Sequence, residues 1–323
     1  MTLALVWLAS GTVCLTSELG CSTLGPVWLS FGLVWLTPKL VWLEIVWLTL
    51  GLEWLVESID CEGEAATTRA LEDMMTRHAV VGLKRLRSAS AMGNRVVRPA
   101  HLQAESARSL VADFLASTAW CGDEQVQVVA WMETDLSPST QLWIPPLGQG
   151  MPQVDGVYEQ LLLGDEKVFL GSRPARFDGE VIRRMEQASL RVAEAFQHLG
   201  YYGRCSFDLL VVGDGEIYFT ECNGRWGGTS TPMHLVDRLF PHERPLYRAQ
   251  DYMSDALVGM PFGDLTERMG PSLYDPKTGA GRYVLYNVGP LVDRGKFDVI
   301  ALGATQSEVD GAIESELPKI LGL

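Results

Sequence analysis

The sequence predicts an α+β protein, and three stretches carry that prediction. Tyr201 to Gly228 (YYGRCSFDLLVVGDGEIYFTECNGRWGG) reads as two strands joined by Asp214-Gly215. Asp-Gly between alternating apolar runs signals a hairpin, because both central residues of a type I′ turn need positive φ. Gly179 to Leu199 reads as a long helix, with Val181, Ile182, Met185, Val192, Ala193, Phe196 and Leu199 on one face, Asp178 as N-cap and Gly200 as stop. Gln125 to Met132 (QVQVVAWM) is an apolar run of strand length.

The whole-chain numbers agree with a folded protein. At 323 residues the chain has length for two or three domains. Its 47% hydrophobic and 20% charged content describes a chain with a core. A net charge of −14 argues against a nucleic-acid partner, which would need clustered Lys and Arg. The six cysteines, at 14, 21, 61, 121, 205 and 222, form no CxxC pair and no zinc-ligand spacing, which reads as thiols in a reducing compartment. The first basic residue is Lys39, so no secretory signal with a positive start is written, and a cytoplasmic location is expected.

Residues 1 to 58 are a low-complexity segment. Val-Trp-Leu recurs at 6, 27, 34, 41 and 46, with Val-Cys-Leu at 13 and Glu-Trp-Leu at 53, and six of the ten tryptophans fall here. Translation of a short repeated DNA unit ranks first among the readings, membrane contact second and coiled coil third. Leu19 to Pro38 is an uncharged run of 20 residues, yet Gly20, Gly25, Pro26 and Gly32 interrupt it. A coiled coil wants two apolar positions per heptad and charged flanks, whereas these units place three large apolar residues together.

From Ala65 the composition becomes ordinary, and the expected division is a main body at 59–250 and a C-terminal α+β segment at 251–323. Ala66 to His78 has helical spacing, with Leu71, Met74 and Met75 on one side. Ala79 to Leu86 reads as a strand carrying Lys84, followed by the small-residue loop Ser88-Ala89-Ser90-Ala91-Met92-Gly93-Asn94. Such a loop lets backbone N–H groups approach phosphates, but the motif alone reads first as a surface turn. Gln103 to Ala116 is a second helix. Strands are expected at 141–144, 157–163 and 167–171, a helix at 229–240, strands at 281–291 and 297–303, and a terminal amphipathic helix at 307–321.

In a two-residue turn Gly213 faces Glu216, and counting outward places Leu210 opposite Phe219, Asp208 opposite Glu221 and Ser206 opposite Asn223. Asp208, Glu221 and Asn223 then share a face, with the carboxylates at roughly 5 Å between Cβ atoms. Leu210, Val212, Ile217 and Phe219 are expected to cover that face. Facing like charges need compensation, and two carboxylates with an amide oxygen are hard ligands that suit Mg²⁺. An exposed hairpin with solvated acids is the alternative reading.

Together these residues resemble the ATP-grasp superfamily of ATP-dependent ligases: Lys84 before SASAMGN, the hinge strand VQVVAWME, and above all Asp208 facing Glu221-Cys222-Asn223-Gly224-Arg225-Trp226-Gly227-Gly228. Within it, SPSTQLWIPP, EQLLLG and the tail GRYVLYNVGPL…ALG look like the peptide ligases of the pheganomycin type. The likeness covers roughly residues 65 to 323. It implies two α+β subdomains clasping a nucleotide, the 59–250 body being the ATP-grasp domain. It also implies ATP and Mg²⁺ as cofactors, with an amide or peptide bond made from small-molecule carboxylate and amine substrates through an acyl phosphate.

By resemblance, Lys84 contacts the α/β-phosphates, the loop carrying Ser88, Ser90, Met92 and Gly93 closes over the β/γ-phosphates, and Trp131 and Met132 meet the adenine edge. Asp208, Glu221 and Asn223 hold Mg²⁺, and Arg225 is the catalytic residue that steadies the acyl phosphate or a substrate carboxylate. Arg173 and Arg176 read as surface arginines, with a substrate role as the second reading. Three departures stand out. Ala91 occupies a loop position where Gly is common, and Ala130 one where Glu is common. The repeats also stand where family members carry an N-terminal α/β domain. The alternative function is therefore a truncated Mg-ATP-binding protein impaired in turnover.

Overall fold

The computed structural model describes residues 49–86, 93–122, 124–134 and 136–323, together with the backbone of three strands before them. These are β1 (Ala4–Leu8), β2 (Thr12–Thr16) and β3 (Trp28–Ser30), paired antiparallel in sequence order. Most of the Val-Trp-Leu segment lies outside the described residues. Its last unit does not: Trp54 and Leu55 pack on the core beneath the hairpin, Leu55 bridging to Phe219. Among the described residues no helix is long and apolar enough to cross a membrane.

Two antiparallel sheets follow, each with its own core. The first has the order β4-β7-β5-β6, from β4 (Ser58–Glu62), β5 (Val81–Arg85), β6 (Asn94–Val97) and β7 (Gln125–Ala130). Helix α1 (Gly63–Met74), the short α2 (Pro99–Ala104) and α3 (Ala107–Ser117) belong to this unit. Leu71 and Met74 of α1 and Leu110, Val111 and Phe114 of α3 bury their apolar stripes against Val81, Leu83, Val126 and Val128. The second helix expected at 103–116 breaks at Glu105, and Ser106 caps α3 by accepting from the Ser109 N–H at 3.2 Å.

The second sheet has eight strands, from β8 (Pro138–Ile144), β9 (Gln153–Leu163), β10 (Val168–Pro174), β11 (Gly203–Val212), β12 (Glu216–Asn223), β13 (Leu246–Met253), β14 (Tyr283–Tyr286) and β15 (Lys296–Gly303). Their order is β12-β11-β8-β9-β10-β13-β15-β14. The long helix α4 (Gly179–His198) lies under β8, β11 and β12, with Met185, Ala188, Val192 and Ala193 buried against Leu142, Leu209, Val211, Ile217 and Phe219. Asp178 caps it, accepting from the Glu180 N–H at 2.8 Å, as the sequence requires. On the opposite face α5 (Ser230–Leu239) buries Met233 and Val236 against Tyr158, Tyr247 and Ala249. Helices α6 (Phe262–Met269), α7 (Leu291–Arg294), α8 (Gln306–Gly311) and α9 (Leu317–Leu321) finish the C-terminal part, where Leu265, Met269, Ile313 and Leu317 pack on Phe297, Val299 and Ala301.

The hairpin corrects the turn. The loop has three residues, Gly213-Asp214-Gly215, with positive φ at Gly213 (51°) and Gly215 (97°), and Val212 rather than Gly213 faces Glu216. The pairing then runs Val211 with Ile217, Leu210 with Tyr218 and Leu209 with Phe219, one step off the expected register. An extra residue on β12, Thr220, restores it, so that Asp208 faces Glu221 and Ser206 faces Asn223 as expected. Phe219 and Ile217 therefore do not cover the acids; with Leu209 and Val211 they face α4, and Leu210 lies on the acid side.

Candidate nucleotide and metal site

The seam between the two sheets is a cleft. One wall carries Lys84 of β5, Asn94 of β6 and Trp131 and Met132 after β7; the other carries Lys167, Asp208, Leu210, Thr220 and Glu221. Lys84 pairs across the strand with Asn94, and the loop predicted to cover phosphates springs from this pair. Ser88, Ser90 and Met92 lie outside the described residues. Gly93 lies inside them, buried, and closes the loop stem by accepting the Arg85 N–H at 2.8 Å.

The hinge residues are placed at the cleft by packing on β5. The Trp131 indole packs on Gly82, where a Cβ would sit 2.5 Å from the ring, so only glycine admits this approach. The Lys84 ammonium lies 5.8 Å from the centre of the same ring. The Trp131 N–H is donated to the Val80 carbonyl at 3.0 Å, so the edge it offers a ligand is its carbonyl, next to Met132.

Asp208 and Glu221 share the cleft face. Asp208 is half-buried; its Oδ1 accepts from the Ser139 hydroxyl at 2.8 Å and its Oδ2 from the Asn223 amide at 3.0 Å. Burial, and then the charge on Glu221, push the Asp208 carboxyl up to about 6, against the opposing effect of its hydrogen bonds. Asn223 sits between the acids and Arg225, its amide oxygen accepting from the Arg225 guanidinium at 3.1 Å. Arg225 itself is exposed.

A buried relay positions Asp208. The Gly227 N–H donates to the Ser230 hydroxyl (3.1 Å), which donates to the Gln141 amide oxygen (3.1 Å), whose nitrogen donates to the Ser139 hydroxyl (3.1 Å), which donates to Asp208. Ser139, Gln141 and Ser230 are 0%, 3% and 2% exposed, and every donor points toward the carboxylate, so the bonds polarise one another in its favour. The Gly227-Gly228 turn after the β11–β12 hairpin is thereby wired to the acid.

The donor set fits a hard divalent cation. Two carboxylates face each other across the strand pair, and the Asn223 amide beside them turns its nitrogen to Asp208 and its oxygen to Arg225. Among the described residues no cluster of three or more His, Cys, Asp or Glu is placed to hold a metal, so the amide or the ligand's own oxygens would complete this set.

Sequence reasoning missed Lys167, Ser139 and Gln141. Lys167 occupies the turn between β9 and β10 with a left-handed φ of 57°. In sequence, Gly-Asp-Glu-Lys is any hairpin tip; only the pairing of β9 with β8 brings it to the cleft. Arg173 is not a free surface arginine. It donates to Glu159 at 2.7 Å and reaches Asp310 at 3.1 Å, and the buried Arg248 joins Asp310 (3.1 Å) and Glu314 (2.6 Å), which pins the C-terminal helices to the sheet. Arg176 is exposed, and its backbone N–H donates to Glu159.

No family model matches this sequence, and no curated protein does. Solved structures do match. N5-carboxyaminoimidazole synthase from Aspergillus clavatus, in complex with ADP and 5-aminoimidazole ribonucleotide, superposes with a TM-score of 0.63 at 10% identity, over 91% of this chain and 75% of that one. The N5-carboxyaminoimidazole synthetase of Staphylococcus aureus, complexed with ADP, gives 0.59 at 9% identity over 89% and 73%. Biotin carboxylase from Campylobacter jejuni gives 0.53 at 12% identity over 79% and 60%. The shared feature is the fold, and the chain has the ATP-grasp fold.

Proposed function

We propose that the protein is an ATP-dependent ligase that joins a carboxylate to an amine through an acyl phosphate, with amino-acid or peptide substrates of the kind used by the pheganomycin-type ligases. The observation that carries this reading is the pair of opposed walls of one cleft: Lys84 and the strand end at Trp131 and Met132 on one side, and Lys167 with Asp208 and Glu221 on the other. Neighbours of the same fold are complexes with ATP or ADP, which supports the choice of nucleotide.

In this reading the Trp131 carbonyl and Met132 hold the adenine edge, and Lys84 and Lys167 meet phosphate oxygens. The loop with Ser88, Ser90, Met92 and Gly93 would cover them. Asp208, Glu221 and Asn223 are the residues that would hold Mg²⁺, which when bound neutralises phosphate charge. A substrate carboxylate oxygen attacks the γ-phosphorus, and the bond from that phosphorus to ADP breaks. The amine then attacks the acyl carbon, the bond from that carbon to the phosphate-bearing oxygen breaks, phosphate leaves with the oxygen and its electron pair, and the amine proton passes to solvent. Arg225 offers a planar pair of donors to the carboxylate and then to the acyl phosphate. Positioning and charge compensation do the work, so no side-chain nucleophile is required.

The test is release of ADP and phosphate from Mg-ATP on addition of an amino-acid mixture, with Glu221→Gln as control. Release above background that vanishes in Glu221→Gln supports the ligase. Tight Mg-ATP binding without release removes it and leaves a nucleotide-binding protein without turnover.

A further inference from the structure

A second cavity, of about 360 Å³, opens on the same sheet face as the acids. Arg204 and Asp208 are four residues apart on β11, and their partners Trp143 and Ser139 are four apart on β8, so all four side chains point to one face. The cavity therefore begins roughly 13 Å along the sheet from Asp208, at about 3.3 Å per residue. Its walls are Trp143, Trp226 and His234, and its floor is Arg204, Asp155 and Gln153.

Trp226 is 52% exposed yet held in place twice. Its indole N–H donates to Thr231 at 2.8 Å, and its ring stacks on His234 at 4.8 Å between centroids and 21° between planes. A large aromatic fixed in an exposed position presents contact area at little entropic cost on binding. Trp143 is 39% exposed on the other side. The buried His234 Nε2 has no hydrogen-bond partner among the described residues.

The charges decide the ligand class. Arg204 is ion-paired with Asp155 and lies over the Trp143 ring at 5.6 Å, so the cavity floor is neutral and the cation position on that indole is filled. An anion finds its arginine already paired, and a cation finds the Trp143 face already taken. What remains is aromatic surface with polar atoms at its base. The volume of about 360 Å³ is well over twice the roughly 150 Å³ that accepts a benzene ring.

We infer that this cavity receives the aromatic side chain of one of the two substrates, an aromatic amino acid or a peptide bearing one at its reacting end. The inference rests on the ligase reading for the role of its occupant. The distance along the sheet lets a substrate anchored by its ring present its reacting group toward Arg225 and the acids.

The experiment is calorimetric binding of L-tyrosinamide and N-acetyl-L-tyrosine to the full chain, against leucine and lysine counterparts. Aromatic probes are expected to bind roughly three- to ten-fold more tightly than leucine ones, the size of an aromatic contact beyond its buried area. Trp226→Ala and, independently, Trp143→Leu should weaken them about ten-fold while Mg-ATP affinity stays within about two-fold, which also reports folding. Trp226→Phe should restore most of the loss. Equal binding of leucine probes, preference for lysine probes, no aromatic binding tighter than about 1 mM, or unchanged affinity in both variants overturns the inference. The two failures are distinguishable. Absent ADP release with Trp226-dependent aromatic binding removes the ligase and keeps the cavity, whereas ADP release indifferent to side chain and to Trp226 does the reverse.

Discussion

Replacing Asp208 by Asn should stabilise the protein and abolish its response to Mg-ATP. In the free protein the Asp208 carboxyl is pushed from 3.8 to about 6 by burial and by Glu221. A raised acid pKa means that the folded state holds the proton more tightly than the unfolded state. Stability is then free of this penalty below about pH 4, falls as pH rises through about 6, and carries the full penalty above it. At 1.36 kcal/mol per pH unit the penalty reaches about 3 kcal/mol, less whatever solvent at the half-buried carboxyl screens. Asn keeps one acceptor where Ser139 and Asn223 now use two, a loss of about 1 kcal/mol. The net gain at pH 7.5 is about 1–2 kcal/mol, or roughly 2–6 °C in Tm, and at pH 4 the variant should be the less stable by about 1 kcal/mol. Wild type at about one hundred times Kd should gain about 2.7 kcal/mol from Mg-ATP, and Asp208→Asn almost none. Thermal melts at both pH values, with and without Mg-ATP, read all of this. A variant that melts below wild type at pH 7.5, or that keeps its Mg-ATP shift, refutes the reasoning.

Other perturbations test separate parts of the site. Lys84→Ala should weaken ATP binding about ten-fold or more by loss of a charge-assisted phosphate contact, read by calorimetry; unchanged affinity would remove Lys84 from the site. Gln141→Leu breaks the relay and strands Ser139 and Ser230, so metal-dependent nucleotide affinity should fall about ten-fold while metal-free binding holds. Gly171→Ala would place a Cβ 2.2 Å from the Ala249 carbonyl oxygen, where β10 meets β13 through only two residue pairs. Backbone must move there, and a loss of about 2–3 kcal/mol in chemical denaturation is expected.

Much of the fold was legible because local signals and packing agree. Asp178 is an N-cap in sequence and in fact, and the stripe Met185, Val192, Ala193 finds the core that its spacing demands. The cleft was legible in part. Lys84 and the hinge strand carry chemistry that a reader can recognise, whereas Lys167 and the Ser139–Gln141 relay consist of ordinary surface and strand residues. Their role depends on which strand lies beside which, and β11 pairs with β8 across some sixty residues of chain, information that no local pattern holds. The Arg173–Asp310–Arg248 cluster was hidden for the same reason, since 137 residues separate Arg173 from its partner.

The acid pair faces across the hairpin because two departures from a two-residue turn cancel. A three-residue turn shifts the register by one, and carried to the end of the hairpin that shift would set Thr220 opposite Asp208 and turn Glu221 to the α4 side, an unpaired carboxylate in the core. The bulge at Thr220 prevents this by spending one residue, and the Thr220 hydroxyl donates to the Asp208 carbonyl at 3.1 Å to hold it. Outside the bulge, Leu209, Val211, Ile217 and Phe219 satisfy the core under α4; inside it, Asp208, Glu221 and Asn223 satisfy the cleft. One strand pair thus serves two faces with different demands, and a bulge beside the site is how it changes register between them. The hairpin's pattern of acids predicts the pairing better than its turn does, because the burial cost of a misplaced Glu221 exceeds the cost of one unpaired ladder position.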